Sequence, residues 1–265
     1  MSGSSRGIAV VTGASSGIGL ELAKQCATHD LDIIAVAEDR RLDEAVTEIA
    51  AAGVDVTAVH ADLAVREGVE DAFDAIVQTG REVDVLVLNA GVGVGGEFIE
   101  TSLEDDLRLL GVNVVSLVHL AKLVIPRMAA RGRGRVLITA SVASTMPGPY
   151  YATYAASKSF ALSFAEAIRH ELRPRGVTVT ALMPGPTDTD FFRRAGMERT
   201  RAGRAEKDDP AAVAADGFAA MMAGKDHVIA GSKKNTAQVI GSKVLPVPAK
   251  AAMHARFTEP DDGDG

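Results

Sequence analysis

Tryptophan is absent from this 265-residue chain, cysteine occurs once, and aromatic residues make up only 4%. A single cysteine excludes an internal disulfide, which suits a reducing compartment, the cytoplasm being the simplest expectation. Cys26 falls inside a helical pattern and reads as a small buried apolar residue, not a nucleophile. No stretch of about eighteen uninterrupted apolar residues occurs, so no membrane span is expected. Met1 to Gly7 is short and polar and lacks the apolar centre of a signal peptide. Basic excess is missing too. The net charge is −7, which argues against a nucleic-acid partner. The densest basic spot, Arg131-Gly132-Arg133-Gly134-Arg135, reads as a solvated turn before an apolar run. His29, His60, His119, His170, His227 and His254 are scattered without metal-ligand spacing, so no metal site is expected.

What is present is alternation. Short Val/Ile/Leu runs lie at about Ile8–Val11, Leu31–Ala37, Val54–His60, Val83–Leu88, Arg135–Ala140, Val177–Leu182 and His227–Ala230. Between them the apolar spacing is helical, over about Gly17–His29, Arg41–Ala52, Val65–Thr79, Leu103–Arg131, Tyr151–Arg173 and Pro210–Ala223. Runs without polar alternation belong to a sheet covered on both faces. Strand–helix alternation at this spacing implies parallel strands with right-handed crossovers. The expected fold is α/β: a Rossmann-like doubly wound sheet of about seven strands, in one domain spanning residues 1–265. Residues 185–207 are irregular and read as a substrate loop. Ala249–Phe257 is a weak helical stretch, and the acidic tail from about 258 to 265 is expected to lack order.

The first strand runs into Thr12-Gly13-Ala14-Ser15-Ser16-Gly17-Ile18-Gly19, and a helix follows. Glycines here permit a tight turn, a close approach of backbone to a pyrophosphate, and close helix–strand packing. The helix N-terminus offers free N–H groups to phosphates. The second strand ends at Ala37-Glu38-Asp39-Arg40-Arg41. A carboxylate at that point accepts from ribose hydroxyls and repels a 2′-phosphate, which favours NAD through Glu38. Arg40 and Arg41 could pair with a 2′-phosphate and keep NADP open. Asp62, beside Leu63, follows the third strand and either accepts from the adenine amino group or caps the next helix.

Tyr154 and Lys158 lie four apart on a helical pattern and so share a face. A phenol with a pKa near 10 is a poor base at neutral pH. A neighbouring ammonium and an oxidised nicotinamide would both stabilise the phenolate and bring it toward the working range. Tyr150 and Tyr151 have no lysine four residues on and read as packing or pocket-mouth residues. Ser141 closes the strand before that helix, where its hydroxyl could hold a substrate oxygen; Ser144 is a local rival. Ligands of open α/β sheets bind at the carboxyl ends of the strands, which puts Ser141, Asn89 and the glycine turn on one rim. Asn113 sits inside a long apolar helix, as a structural tie or as part of a proton relay through water to Lys158.

Taken together these residues resemble the short-chain dehydrogenase/reductase family. Thr12-Gly13-x-x-x-Gly17-x-Gly19 is similar to its cofactor turn, and Asn89-Ala90-Gly91 to its strand-four motif. Asn113, Ser141, Tyr154 and Lys158 match its catalytic set in order and approximate spacing, and Pro184-Gly185 with Thr187 and Thr189 its nicotinamide loop. The match runs from about Gly7 to Gly231. The resemblance implies Tyr154 as acid–base, Ser141 as substrate anchor, Lys158 as modulator and ribose ligand, and Asn113 as relay. It further implies that Gly13, Ser15, Ser16, Gly17, the Ile18 N–H, Gly19, Glu38, Asp39, Arg40, Asp62, Leu63 and Asn89 to Gly91 hold a dinucleotide, with Thr187 or Thr189 at the carboxamide. It implies an oxidoreductase acting on a small alcohol or carbonyl compound, as a homodimer or homotetramer. The weighed alternative is a catalytically silent NAD(P) sensor on the same scaffold. Ser16 and Glu38 stand where NADP-preferring relatives commonly carry basic residues. Ser141, Ala143, Met146, Tyr151, Tyr154 and Phe191 are the expected substrate contacts, with Val92, Val94, Pro147 and Phe192 as further wall candidates, and they suggest an apolar or mixed substrate.

Overall fold

The computed structural model describes residues 6–242 and 246–260. The strands are β1 (Gly7–Thr12), β2 (Leu31–Ala37), β3 (Val56–His60), β4 (Val83–Leu88), β5 (Gly134–Thr139), β6 (Val177–Pro184) and β7 (His227–Ala230). The helices between them are α1 (Gly17–Thr28), α2 (Arg41–Ala50), α3 (Arg66–Gln78), α4 (Leu103–Leu110), α5 (Ser116–Arg131) and α6 (Ala152–Leu172). The four-residue turns α7 (Phe191–Arg194) and α8 (Arg201–Arg204) precede α9 (Pro210–Met222), and α10 (Lys233–Ser242) and α11 (Val247–Thr258) follow the last strand. All seven strands join one sheet in the order β3-β2-β1-β4-β5-β6-β7, every pairing parallel. The expected doubly wound sheet is the fold observed.

Side chains along a strand alternate between faces, and here both faces are buried. Ile8 and Val10 of β1 join one core with Val69 and Ile76 of α3, Leu120, Val124 and Met128 of α5, and Ala161 and Ala165 of α6. Ala9 and Val11 join the other, with Leu22 and Cys26 of α1, Leu42 and Ile49 of α2, and Val213, Phe218 and Met221 of α9. Burial pushes the Cys26 thiol up to about 12, as fits a small apolar packing residue. The helices diverge where the strand order reverses, between β1 and β4, and leave a crevice above the carboxyl ends.

Three sequence expectations are corrected. Leu103–Arg131 is not one regular helix: residues Gly111–Val115 form a π segment between α4 and α5. Gly111 packs against Ala64, where a Cβ would come within 2.7 Å of the Ala64 carbonyl oxygen. The Ser116 hydroxyl donates to the Val112 carbonyl oxygen at 2.6 Å. This 29-residue stretch is long and apolar enough to cross a membrane by composition, yet half of its most apolar window is buried in the protein, against the sheet. The second correction concerns the C-terminus. Thr258 is buried, and its hydroxyl donates to the Pro149 carbonyl at 2.8 Å. Glu259 accepts from the Tyr150 hydroxyl, and Pro260 bridges to Thr200. Residues 258–260 are therefore ordered, against the expectation; Asp261 to Gly265 lie outside the described residues, as do Met1 to Ser5. Third, α10 had no counterpart among the expected elements.

Ile138, fully buried near the carboxyl end of β5, tests how tightly the sheet interior is filled. Ile138→Ala is expected to cost about 2–5 kcal/mol, the range for emptying a close-packed site, measured as a shift of the urea midpoint at unchanged slope.

Candidate active site

The site is assembled at the carboxyl ends of β1, β4 and β5, and hydroxyl and amide side chains knit those ends together. The Thr12 hydroxyl accepts from the N–H groups of Asn89 (2.9 Å) and Ala90 (3.0 Å). The Asn89 side chain donates to the Thr12 carbonyl at 3.1 Å and accepts from the Thr139 hydroxyl at 3.0 Å. Asn89 is thus a strut between three strands as well as a wall of the cavity.

Above this knot the glycine turn leaves β1. Gly13 and Gly17 both have positive φ, at 70° and 56°, where side chains are disfavoured. A Cβ on Gly19 would collide with the Gly13 carbonyl oxygen and the Asn89 amide. Ser16, the residue before α1, makes no side-chain bond to the helix. The N–H groups at the start of α1 are therefore left to a ligand at the cavity, an arrangement suited to phosphate oxygens.

One cavity of about 800 Å³ runs from this turn to the C-terminal helix. Every expected dinucleotide residue lines it except Arg40. Arg40 is exposed at the start of α2, away from the lining, because the strand-to-helix turn faces it outward. Arg41 is drawn elsewhere: it donates to Asp39 (3.0 Å from its backbone, 3.1 and 3.2 Å from its side chain) and reaches across to Asp190 at 2.6 Å. The Ser15 hydroxyl also donates to Asp39, at 2.9 Å. Arg108 of α4, which no sequence spacing pointed to, bonds both Glu38 (2.6 Å) and Asp62 (2.9 Å). Partial burial works against the Asp62 carboxylate, but Arg108 and the Ala64 N–H outweigh it and hold its pKa below the usual range. Val65, not Asp62, precedes α3 as its cap residue.

At the other end stand Tyr154 and Lys158 of α6, both buried, with the ammonium 5.9 Å from the phenol ring centroid. The Lys158 ammonium donates to the Thr139 carbonyl at 2.9 Å, which ties α6 to the same knot. In the protein without ligand, burial and not Lys158 decides the direction in which the Tyr154 pKa moves. Burial dominates and pushes Tyr154 up to about 12, with the Ser141 hydroxyl opposing. Burial also brings Lys158 down to about 8. At neutral pH the phenol is protonated.

Ser141 caps the 3-10 turn Val142–Thr145, accepting from the Ala143 N–H at 3.1 Å, and lines the cavity. Its rival Ser144 is spent structurally: its hydroxyl accepts from the Ser141 N–H and donates to the Lys158 carbonyl at 2.8 Å. Asn113 lies behind the cavity, not in its lining. It accepts from the Val92 N–H at 2.9 Å and donates to the Val92 carbonyl (2.9 Å) and the Ser157 hydroxyl (3.0 Å). These bonds make it a structural tie in the π segment. Ala143, Met146, Tyr151 and Phe191, all expected, face the cavity with Tyr154. Phe191 packs on the Tyr154 ring at 5.0 Å and Tyr151 stacks on it at 5.6 Å. Val92 and Phe192 also line the cavity, whereas Val94 and Pro147 are set back from it. Met197, Met253, His254 and Phe257 complete the wall. Met197 follows α7; the other three were missed because α11 shows only a weak apolar stripe and its contacts lie about a hundred residues away.

A glycine turn at the switch point and a Tyr/Lys/Ser set at the far end of one cavity define a dinucleotide-dependent oxidoreductase. The family model described as "short chain dehydrogenase" matches residues 7–200. The chain is 40% identical over 185 residues to 1-deoxy-11-beta-hydroxypentalenate dehydrogenase of Streptomyces exfoliatus, covering 68% of this chain and 67% of that protein. Among solved structures it resembles a short-chain dehydrogenase/reductase from Burkholderia phymatum in complex with NAD, at 26% identity and TM-score 0.79, covering 90% of this chain and 92% of that one. It also resembles a short-chain dehydrogenase from Sphingobium yanoikuyae in complex with NADPH, at 29% identity and TM-score 0.78, covering 84% and 87%. The chain belongs to the short-chain dehydrogenase/reductase family. It is an NAD(P)-dependent oxidoreductase acting on CH–OH or C=O groups.

Gly19→Ala tests the cradle. The added methyl cannot be accommodated without moving the Gly13 carbonyl, so the variant is expected to lose at least about tenfold in NADH affinity by calorimetry and to be destabilised by about 1–3 kcal/mol.

Proposed function

We propose that Tyr154 is the proton donor and acceptor in the interconversion of an apolar alcohol and its carbonyl compound. The observation that carries this reading is the placement of the Tyr154 phenol, with Ser141 and Lys158, in one cavity that begins at the glycine turn. Ser141 hydrogen-bonds the reacting oxygen and holds it beside Tyr154. In reduction the phenol gives its proton to that oxygen; in oxidation the phenolate takes it back. Lys158, fixed by the Thr139 carbonyl, favours the phenolate electrostatically. A bound nicotinamide supplies the hydride donor or acceptor and, when oxidised, a further positive charge. Glycine-turn N–H groups hold the pyrophosphate, and Thr187 and Thr189, both lining the cavity, suit the carboxamide. The walls built by Met146, Phe191, Phe192, Met197, Met253 and Phe257 favour a bulky apolar substrate. The relative named as a dehydrogenase of 1-deoxy-11-beta-hydroxypentalenate supports an alcohol as the reacting group.

The preferred cofactor in this reading is NAD. Glu38, Asp39, Asp62 and Asp190 surround the adenosine end, and Arg41, Arg108 and Arg193 are already paired to them, leaving one carboxylate in excess. That surplus of carboxylate repels a 2′-phosphate. A homo-oligomer is supported by an apolar stripe over Phe98, Ile99, Leu103, Leu107 and Val115, all exposed, which a second copy would cover.

Tyr154→Phe removes the hydroxyl and keeps the ring. Across a panel of ketones and secondary alcohols its turnover is expected to fall by at least about a hundredfold, the usual contribution of a positioned acid–base group, with NADH affinity kept; full activity would refute the assignment. Calorimetry with NADH and NADPH is expected to show tighter NADH binding, and the opposite order would overturn the electrostatic argument.

A further inference from the structure

Two phenols lie side by side at the reacting end of the cavity. Tyr154 and Tyr151 are stacked, with ring centroids 5.6 Å apart and planes at 20°. Tyr151 does not stand alone, because its hydroxyl meets Nε2 of His254 on α11. The other ring nitrogen, Nδ1, faces the Pro147 carbonyl oxygen at 2.9 Å. A carbonyl can only accept, so Nδ1 carries the proton and Nε2 is left as the acceptor of the Tyr151 O–H. Both side chains are buried, and both line the cavity. The imidazole also packs edge-on against the Tyr151 ring at 5.2 Å.

The turn below this pair is built to hold it. Tyr150 has a φ of 61°, in the left-handed region that a tyrosine rarely adopts. Its carbonyl accepts from the Gly96 N–H at 2.7 Å and its hydroxyl donates to Glu259 at 3.1 Å. Thr258 bonds the Pro149 carbonyl. Strain of this kind persists only where surrounding contacts over-determine it, and α11 with the two residues after it supplies three of them, from His254, Thr258 and Glu259.

We propose that His254 is a positioning residue of the reaction: it accepts the Tyr151 hydroxyl hydrogen and holds the Tyr151 ring against Tyr154, fixing the reacting phenol in the cavity. The inference rests on Tyr154 as the acid–base group. Phe191 confines the Tyr154 ring at a tilt of 51°, and the stacked Tyr151 confines it as well. Without the imidazole, the buried Tyr151 hydroxyl loses its acceptor, and an orphaned buried hydroxyl is driven to turn toward another partner or water. Tyr154 then loses its stacked neighbour and gains solvent. Burial raises the Tyr151 pKa and lowers that of His254, which keeps the proton on Tyr151 and leaves Tyr154 as the phenol that ionises. His254 lies beyond residues 7–200, where the family model matches, so the support comes from a part of the chain outside the shared motifs.

The test uses the full-length protein and the carbonyl compound that it reduces fastest in a ketone panel. His254→Leu and Tyr151→Phe are each expected to lower kcat about tenfold with KM within about threefold, the signature of an interaction used in the transition state. The double variant is expected to be no slower than the slower single variant, since both remove one bond. His254→Gln, whose amide can accept from Tyr151, is expected to recover most of kcat. The chain has three tyrosines and no tryptophan, so near-ultraviolet tyrosinate absorbance reads the phenols directly. In His254→Leu the Tyr154 midpoint is expected to fall below its wild-type value, toward the ordinary phenol value near 10. Unchanged kcat in both single variants, multiplicative losses in the double variant, or an unmoved midpoint would overturn the proposal. If His254→Leu fails to fold, Tyr151→Phe and His254→Gln decide. Tyr154→Phe runs alongside: full activity there sinks the acid–base reading itself, whereas an inactive Tyr154→Phe beside a fully active Tyr151→Phe sinks only the role of His254.

Discussion

The hydrogen-bond chain from Thr12 through Asn89 to Thr139 holds the carboxyl ends of three adjacent parallel strands in register, and each part of the site hangs from one of those ends. The glycine turn leaves β1, Gly91 and Val92 leave β4, and Ser141 leaves β5. Lys158 joins the same chain through the Thr139 carbonyl, so the helix carrying Tyr154 is keyed to the strand carrying Ser141. Strand ends in a parallel sheet have no hairpin to lock them together. Side-chain bonds at the rim do that work here, and the distance between cofactor cradle and acid–base pair follows from them.

Burial sets the electrostatics of the reacting end. Removing Tyr154 and Lys158 from water disfavours the charged form of each, so the phenol rises and the ammonium falls. Burial thereby keeps the proton on Tyr154 in the protein without ligand, and positive charge added to the cavity would favour the phenolate. The adenosine end works differently. Its carboxylates are half-exposed and paired with two arginines from distant segments. These pairs tie α4 and the loop after β6 to the edge of the cofactor crevice, and the same contacts that shape the crevice set its charge.

Some of this was legible in the sequence because it depends on short-range pattern. The seven strands and most helices follow from continuous apolar runs and helical spacing, which report burial locally. The glycine turn, Ser141 and the Tyr154–Lys158 pair were legible because backbone geometry and helical period require those residue types at those spacings. Arg108 and His254 were not. Their partners are Glu38, Asp62, Tyr151 and Pro147, between 46 and 107 residues away, and no local period encodes such a contact. Arg40 was placed by adjacency to the second strand, and the turn into α2 carried it outward.

The sequence by itself determined the fold class, the glycine turn and the Tyr154–Lys158 spacing on one helix, since each rests on interactions between residues close along the chain. Tertiary structure decided the rest. It joined the Asn113 amide to Val92 and Ser157. It set the protonation of Tyr154, because burial depends on everything packed around a group and not on its neighbours in sequence. It also closed the substrate wall with α11, whose weak apolar pattern acquires its meaning only where Met253, His254 and Phe257 meet the cavity.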